Sequence, residues 1–115
     1  MSSATPRPGR PVRGSRSGRP IMVTLDLLGR RGALAVLWSL REGPATFRVL
    51  QDLADGMAAN TLNSRLQELR EVGLVERSDD GYRLTDDGRG LLDAGRPLLE
   101  WAHDWALRLP APPVD

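Results

Sequence analysis

Along this chain the apolar positions fall into helical stripes punctuated by glycine, with one short alternating stretch past the middle. From Met22 to Leu28 the pattern predicts a short amphipathic helix, which Gly29-Arg30-Arg31-Gly32 breaks before a strongly apolar helix over 33–41. Ala33, Leu34, Val36, Leu37, Trp38 and Leu40 leave that second helix almost no polar side, so it is expected at the centre of the domain. Gly43-Pro44 stops it, and Thr46 is placed to cap a third helix over 47–54, with Phe47, Leu50 and Leu53 turned inward. Asp55-Gly56 marks a turn. Leu62, Leu66, Leu69 and Val72 then form the inner stripe of a fourth helix over 59–72, which Gly73 closes at C′. Leu74–Arg77 and Tyr82–Thr85 alternate as strands about Asp79-Asp80-Gly81, and Asp-Gly is a strong hairpin signal. Thr85 with Asp86 and Asp87 opens a final helix, because a hydroxyl cap and nearby acids satisfy orphan N–H groups and the helix dipole together. It is expected to reach Leu109, with Pro97 kinking or segmenting it.

The outward side of the fourth helix carries the most specific chemistry. Asn60, Thr61, Asn63, Ser64 and Gln67 present amides and hydroxyls rather than Glu/Lys pairs. Short groups that both donate and accept hydrogen bonds can read base edges in the major groove of DNA. Residues 47–72 also have the helix, turn, helix order in which the second helix enters that groove. Arg65 and Arg70 are then candidates for phosphate or guanine contacts, and Arg77 and Arg83 of the hairpin, or wing, for the flanking backbone. Asp79 and Asp80 at the wing tip would be repelled by phosphate. The plainer alternatives are a solvated helix face and a purely structural hairpin.

A length of 115 residues fits one domain: a disordered Arg/Pro/Gly-rich tail over 1–20, a folded unit over 21–109 and a frayed end over 110–115. The charge is split. Residues 1–20 hold five arginines and no acid, while 21–115 hold 11 arginines against 15 acids, a net −4. Arg7, Arg10, Arg13, Arg16 and Arg19 recur at every third position, which a polyproline II conformation would align on one side. Gly9-Arg10-Pro11 and Gly18-Arg19-Pro20 resemble the Gly-Arg-Pro core of minor-groove A·T-hook peptides, so the tail is a candidate for DNA contact as well as a candidate solvating linker. Every one of the 16 basic residues is arginine, which suits bidentate phosphate contacts and equally a GC-rich coding bias.

Cysteine is absent and histidine occurs once, which excludes disulfides, thiol chemistry and a His-based metal cluster. Ser64, His103 and Asp104 show no nucleophile turn or oxyanion loop, so no enzyme, cofactor or metal is expected. No stretch approaches the roughly 20 apolar residues of a membrane span, and the Arg-rich start lacks the apolar run of a secretory signal. A cytoplasmic, nucleoid-associated protein without membrane contact is expected. Leu91, Leu92, Leu98, Leu99, Trp101, Ala102, Trp105 and Leu109 give the last helix an apolar face too broad for a small domain to cover alone, which implies a partner subunit.

Together LDLLGRRGALAVLWSL, GPATFRVLQDL, NTLNSRLQELREVGLVER and YRLTDDGRGLL, in this order and spacing from Leu25 to Trp101, resemble the HxlR-type winged-helix transcriptional regulators, a branch of the MarR-like group. The resemblance implies a mainly α fold with a small β-wing, a winged helix-turn-helix whose N- and C-terminal helices form a dimer interface. Leu25, Leu28, Leu91, Leu98, Trp101 and Trp105 would lie in that interface. It implies a bacterial homodimer that binds a palindromic double-stranded DNA operator and regulates transcription, with repression by competition with polymerase as the expected mode. Three departures stand out. Many members carry a Cys before the first helix, used by some to sense electrophiles or oxidants, and none stands near Ile21. Many have a Trp after the Gly-Gly-Lys that corresponds to Gly29-Arg30-Arg31; Gly32 stands here, with Trp38 the candidate replacement in packing. The wing is shorter than usual. Trp38, Trp101 and Trp105 are also candidates to line a pocket for an unidentified small-molecule effector, against the plainer reading of core or interface. The rival reading of the whole chain is a winged-helix protein-interaction or dimerisation module without specific DNA binding.

Overall fold

The helix and hairpin order read from the sequence is the order observed. The computed structural model describes residues 5–112; the expectations for residues 1–4 and 113–115 lie outside the described residues. The elements are α1 (Pro20–Leu28), α2 (Ala33–Ser39), α3 (Phe47–Leu53), α4 (Ala59–Glu71), β1 (Val75–Ser78), β2 (Gly81–Leu84) and α5 (Asp86–Arg108). β1 and β2 pair antiparallel, and the fold is a winged helix-turn-helix.

Local chemistry explains most boundaries. Thr46 accepts a hydrogen bond from the Val49 N–H at the head of α3, and Thr85 accepts one from Gly88 N–H at the head of α5. Both caps satisfy donors that a helix start would otherwise leave bare. Gly73, at φ 77°, follows the α4 cap residue Val72 in the left-handed conformation that lets the chain turn into the wing. The hairpin pairs Arg77 with Tyr82, as the expected strands do, but both strands lie one residue nearer the tip: Ser78 faces Gly81, so Asp79-Asp80 forms the two-residue loop and Gly81, at φ 118°, is the first strand residue. Beyond the hairpin, Ala45 and Tyr82 exchange both backbone hydrogen bonds at 2.8 and 2.9 Å, tying the segment ahead of α3 to the wing.

Leu27, Leu37, Leu50, Leu62, Leu66 and Leu69 meet in one core with Val36, Leu40, Ala45, Val75 and Leu84. Two expectations about this core are corrected. α2 is not covered all round: Trp38 is 46% exposed and Leu34 similarly so, because α5 leaves a groove along that side instead of closing over it. Leu53 points out rather than in, since α3 ends at that residue. α5 also runs unbroken through Pro97, so the expected segmentation is absent. Gly88 lets it cross the chain closely: the Leu74 carbonyl oxygen occupies the place a Cβ would need.

The segment expected to be disordered is described from Thr5 onward as successive tight turns. Val12 and Ser15 exchange backbone hydrogen bonds at 2.8 and 3.0 Å, Gly9 N–H donates to Gly18 C=O, and Arg7 reaches the carbonyl of Glu71 at 3.3 Å. Its low apolar content is offset by backbone pairing within the segment and by this polar contact with the end of α4.

Candidate nucleic-acid interface

The angle of α4 is set by the turn before it. Asp55 and Gly56 adopt consecutive left-handed conformations at φ 56° and 71°, which glycine takes freely and aspartate tolerates better than most residues. Gln51 braces this turn, accepting from Gly56 N–H through its backbone carbonyl and donating its side-chain amide to Met57 C=O at 3.1 Å. Leu62, Leu66 and Leu69 then anchor one side of α4 in the core. Asn60, Asn63, Ser64, Gln67 and Arg70 are exposed on the rest of its surface, and Thr61 is half-buried. Unlike α3 and α5, α4 starts at Ala58 without a side-chain cap, so its first N–H groups have no partner from that residue.

The arginines are less uniform than the sequence suggests. Arg65 turns inward: with only 18% of its side chain exposed, it donates to Glu68 at 2.6 Å. Arg30, from the α1–α2 connection, binds the other oxygen of the same carboxylate. Arg65 is thus occupied within α4, Arg30 through Glu68 ties that helix to the α1–α2 connection, and Arg70 is the exposed cation of the helix. On the wing, Arg77 lies over the Tyr82 ring at 5.2 Å and Arg83 pairs with Glu76 at 2.7 Å across the hairpin, both remaining exposed. Asp79 and Asp80 stand exposed at the tip, where the Ser78 hydroxyl ties the turn by donating to Gly81 C=O and accepting from Asp80 N–H.

Of the tail arginines, Arg7 bonds to the end of α4 and Arg13 lines a cavity beside it, whereas Arg10, Arg16 and Arg19 are exposed. Sequence patterning missed Arg30, Arg31 and Glu68, which cluster with Arg13 and Arg65. The Arg65–Glu68 spacing was the available signal, but the partner 38 residues away was not.

The residues expected in a dimer interface divide between two surfaces. Leu28 and Leu91 are half-buried and, with Leu98, line an apolar groove of about 440 Å³ between α2 and α5 that Trp38 also borders. Leu98 and Trp101 are 62% and 54% exposed, and Trp101 stacks on Trp105 at 5.5 Å between ring centroids. Leu25 faces the polar cavity instead. Neither Trp101 nor Trp105 lines the groove, so the three tryptophans are not gathered around one pocket.

Comparison with known proteins agrees with this geometry. The chain is 28% identical over 83 residues to the uncharacterised HTH-type transcriptional regulator MJ0925 of Methanocaldococcus jannaschii, covering 69% of this chain and 78% of that one. Among solved structures, quinone-bound YodB from B. subtilis superposes with a TM-score of 0.70 at 27% identity, over 74% of this chain and 97% of that one. A possible HxlR family transcriptional factor from Thermoplasma volcanium gives a TM-score of 0.64 at 26% identity, over 74% and 83%. Among the described residues, no helix is long and apolar enough to cross a membrane. The family model described as the HVO_A0261 N-terminal domain matches residues 24–103, so the chain belongs to that family and is a helix-turn-helix regulator by fold and by kinship.

Proposed function

We propose that the chain is a sequence-specific duplex-DNA-binding regulator of the HxlR type, acting as a homodimer on a palindromic operator and repressing by competition with polymerase. The observation that carries this reading is the free polar surface of α4: Asn60, Asn63, Ser64 and Gln67 are exposed, and the nearest buried carboxylate, Glu68, is already neutralised by arginine. Asn and Gln suit adenine, and Arg70 suits guanine or phosphate. The uncapped N-terminus of α4 favours a phosphate by its dipole and its spare N–H groups. Arg77 and Arg83 are exposed on the wing; Arg77 shares a surface hollow with Gln67 and Arg70 of α4, whereas Arg83 pairs with Glu76 beside the head of α5.

The homodimer is supported by the apolar groove and by Leu98, Leu99, Trp101, Trp105 and Leu107, which water would otherwise cover. In such a dimer the two α4 helices are expected about 34 Å apart, one turn of DNA. YodB was solved with quinone bound and after diamide treatment. A chain with no cysteine has no thiol to add to a quinone or to be oxidised by diamide. The groove beside Trp38 is the candidate effector site.

Selection of genomic fragments by the purified full chain tests the reading. A recovered palindrome with half-sites one helical turn apart supports it, and Arg70→Ala should then cost about 1–3 kcal/mol if the contact is a bidentate base contact. Enrichment of no motif favours the protein-interaction module, the reading to which Asp79 and Asp80 at the wing tip lend support.

A further inference from the structure

A cavity of about 580 Å³ is lined by α1, the α1–α2 connection, α4 and the N-terminal segment. Its walls carry Arg13, Arg30, Arg31 and Arg65 against Asp26 and Glu68, an excess of two positive charges. Glu68, with 12% of its side chain exposed, serves both Arg30 and Arg65. The Arg65 Nε–H is buried and has no acceptor among the described residues. A donor in that position gains from an anion that enters the cavity, and paired guanidinium forks match the oxygens of a phosphate.

The N-terminal segment is built to close this site. Its turn tip, Arg13-Gly14, is held by the Val12–Ser15 pairing and sits on α1, with the Met22 methyl group 2.7 Å from where a Gly14 Cβ would be. Its other end is fixed by Arg7, which reaches both the carbonyl and the carboxylate of Glu71. The segment therefore runs beside α4 from Ser64 to Glu71.

We propose that this cavity is a phosphate-binding site, with Arg65 and Arg31 on its helical side and Arg13 on the wall the N-terminal segment supplies. The phosphate comes from one of two sources: the backbone of DNA held by α4, a source that rests on the function proposed above, or a free phosphorylated small molecule. Titration of the full chain with inorganic phosphate and with pyrophosphate, against chloride at matched ionic strength, reads the site directly through the Arg65 Nε–H resonance. Saturable shifts that weaken at least tenfold in Arg13→Ala/Arg31→Ala support the proposal. Both changes are at exposed positions, so the variant should fold, which its dispersion of amide resonances checks. Absence of saturation with either anion, or binding unchanged in that variant, overturns it. The source is read from the selected DNA site: a fall of about two in the slope of log affinity against log salt in the variant assigns the phosphate to DNA. An unchanged slope with intact pyrophosphate binding by the wild-type chain assigns it to a free anion. If the wild-type chain selects no DNA yet binds pyrophosphate through these arginines, the function proposed above fails while this site stands.

Discussion

Glu68→Ala strikes the joint between α4 and the α1–α2 connection. It leaves Arg30 and Arg65 facing each other without the carboxylate that both now hold, and removing one member of a buried ion pair costs about 3–5 kcal/mol. The two arginines retain 16% and 18% side-chain exposure, so water recovers part of that loss and about 2–3 kcal/mol is expected. In a chain of this size that corresponds to a fall in Tm of roughly 10–20 °C. Glu68→Gln keeps an acceptor but not the charge and should lose less. The triple change Arg30→Met, Glu68→Met, Arg65→Met removes charge and partner together, and is expected within about 1 kcal/mol of the original or above it. Urea unfolding followed by tryptophan fluorescence measures all three, at several protein concentrations because self-association would raise apparent stability. Glu68→Ala within about 0.5 kcal/mol of the parent, the range of ordinary surface changes, would refute the view that this carboxylate braces α4.

Three further outcomes are expected. Gly88→Ala should destabilise by about 1–3 kcal/mol, since a Cβ there collides with the Leu74 carbonyl, whereas Gly90→Ala, which meets nothing within 4 Å, should stabilise by roughly 0.5–1 kcal/mol in thermal melts. Thr85→Ala should cost about 1–2 kcal/mol, because the hydroxyl both caps α5 at Gly88 and donates to Gly73 C=O at 2.5 Å. Leu98→Glu should leave the helical circular dichroism of the chain intact and convert dimer to monomer in sedimentation equilibrium; a persisting dimer would place the interface elsewhere.

The parts of this fold legible in the sequence are those governed by near neighbours. Thr46 and Thr85 cap within three residues of themselves, Gly73 ends its helix locally, and the Leu62-Leu66-Leu69 stripe follows from helical geometry alone. What escaped depends on contacts distant along the chain. The exposure of Trp38 reflects where α5 lies, and the inward turn of Arg65 reflects Arg30 as well as Glu68. The surface of α4 was visible as a pattern of amides and hydroxyls, but which arginine stays outside it was not. Even the hairpin shows this limit: Asp79-Asp80-Gly81 marked the turn, while the close approach of Gly81 to the Ala45 carbonyl was not legible.

The two hydrogen bonds between Ala45 and Tyr82 close the chain into a ring that contains α3, α4 and β1. Loop closure of that kind charges its entropy once, so whatever opens one bond of the pair loses most of the reason to keep the other. The ring should therefore unzip cooperatively, while the exposed Asp79-Asp80 loop it carries is tied, among the described residues, by Ser78 alone. An exposed acidic tip carried on such a hoop can be reshaped by mutation without disturbing the two bonds that close it.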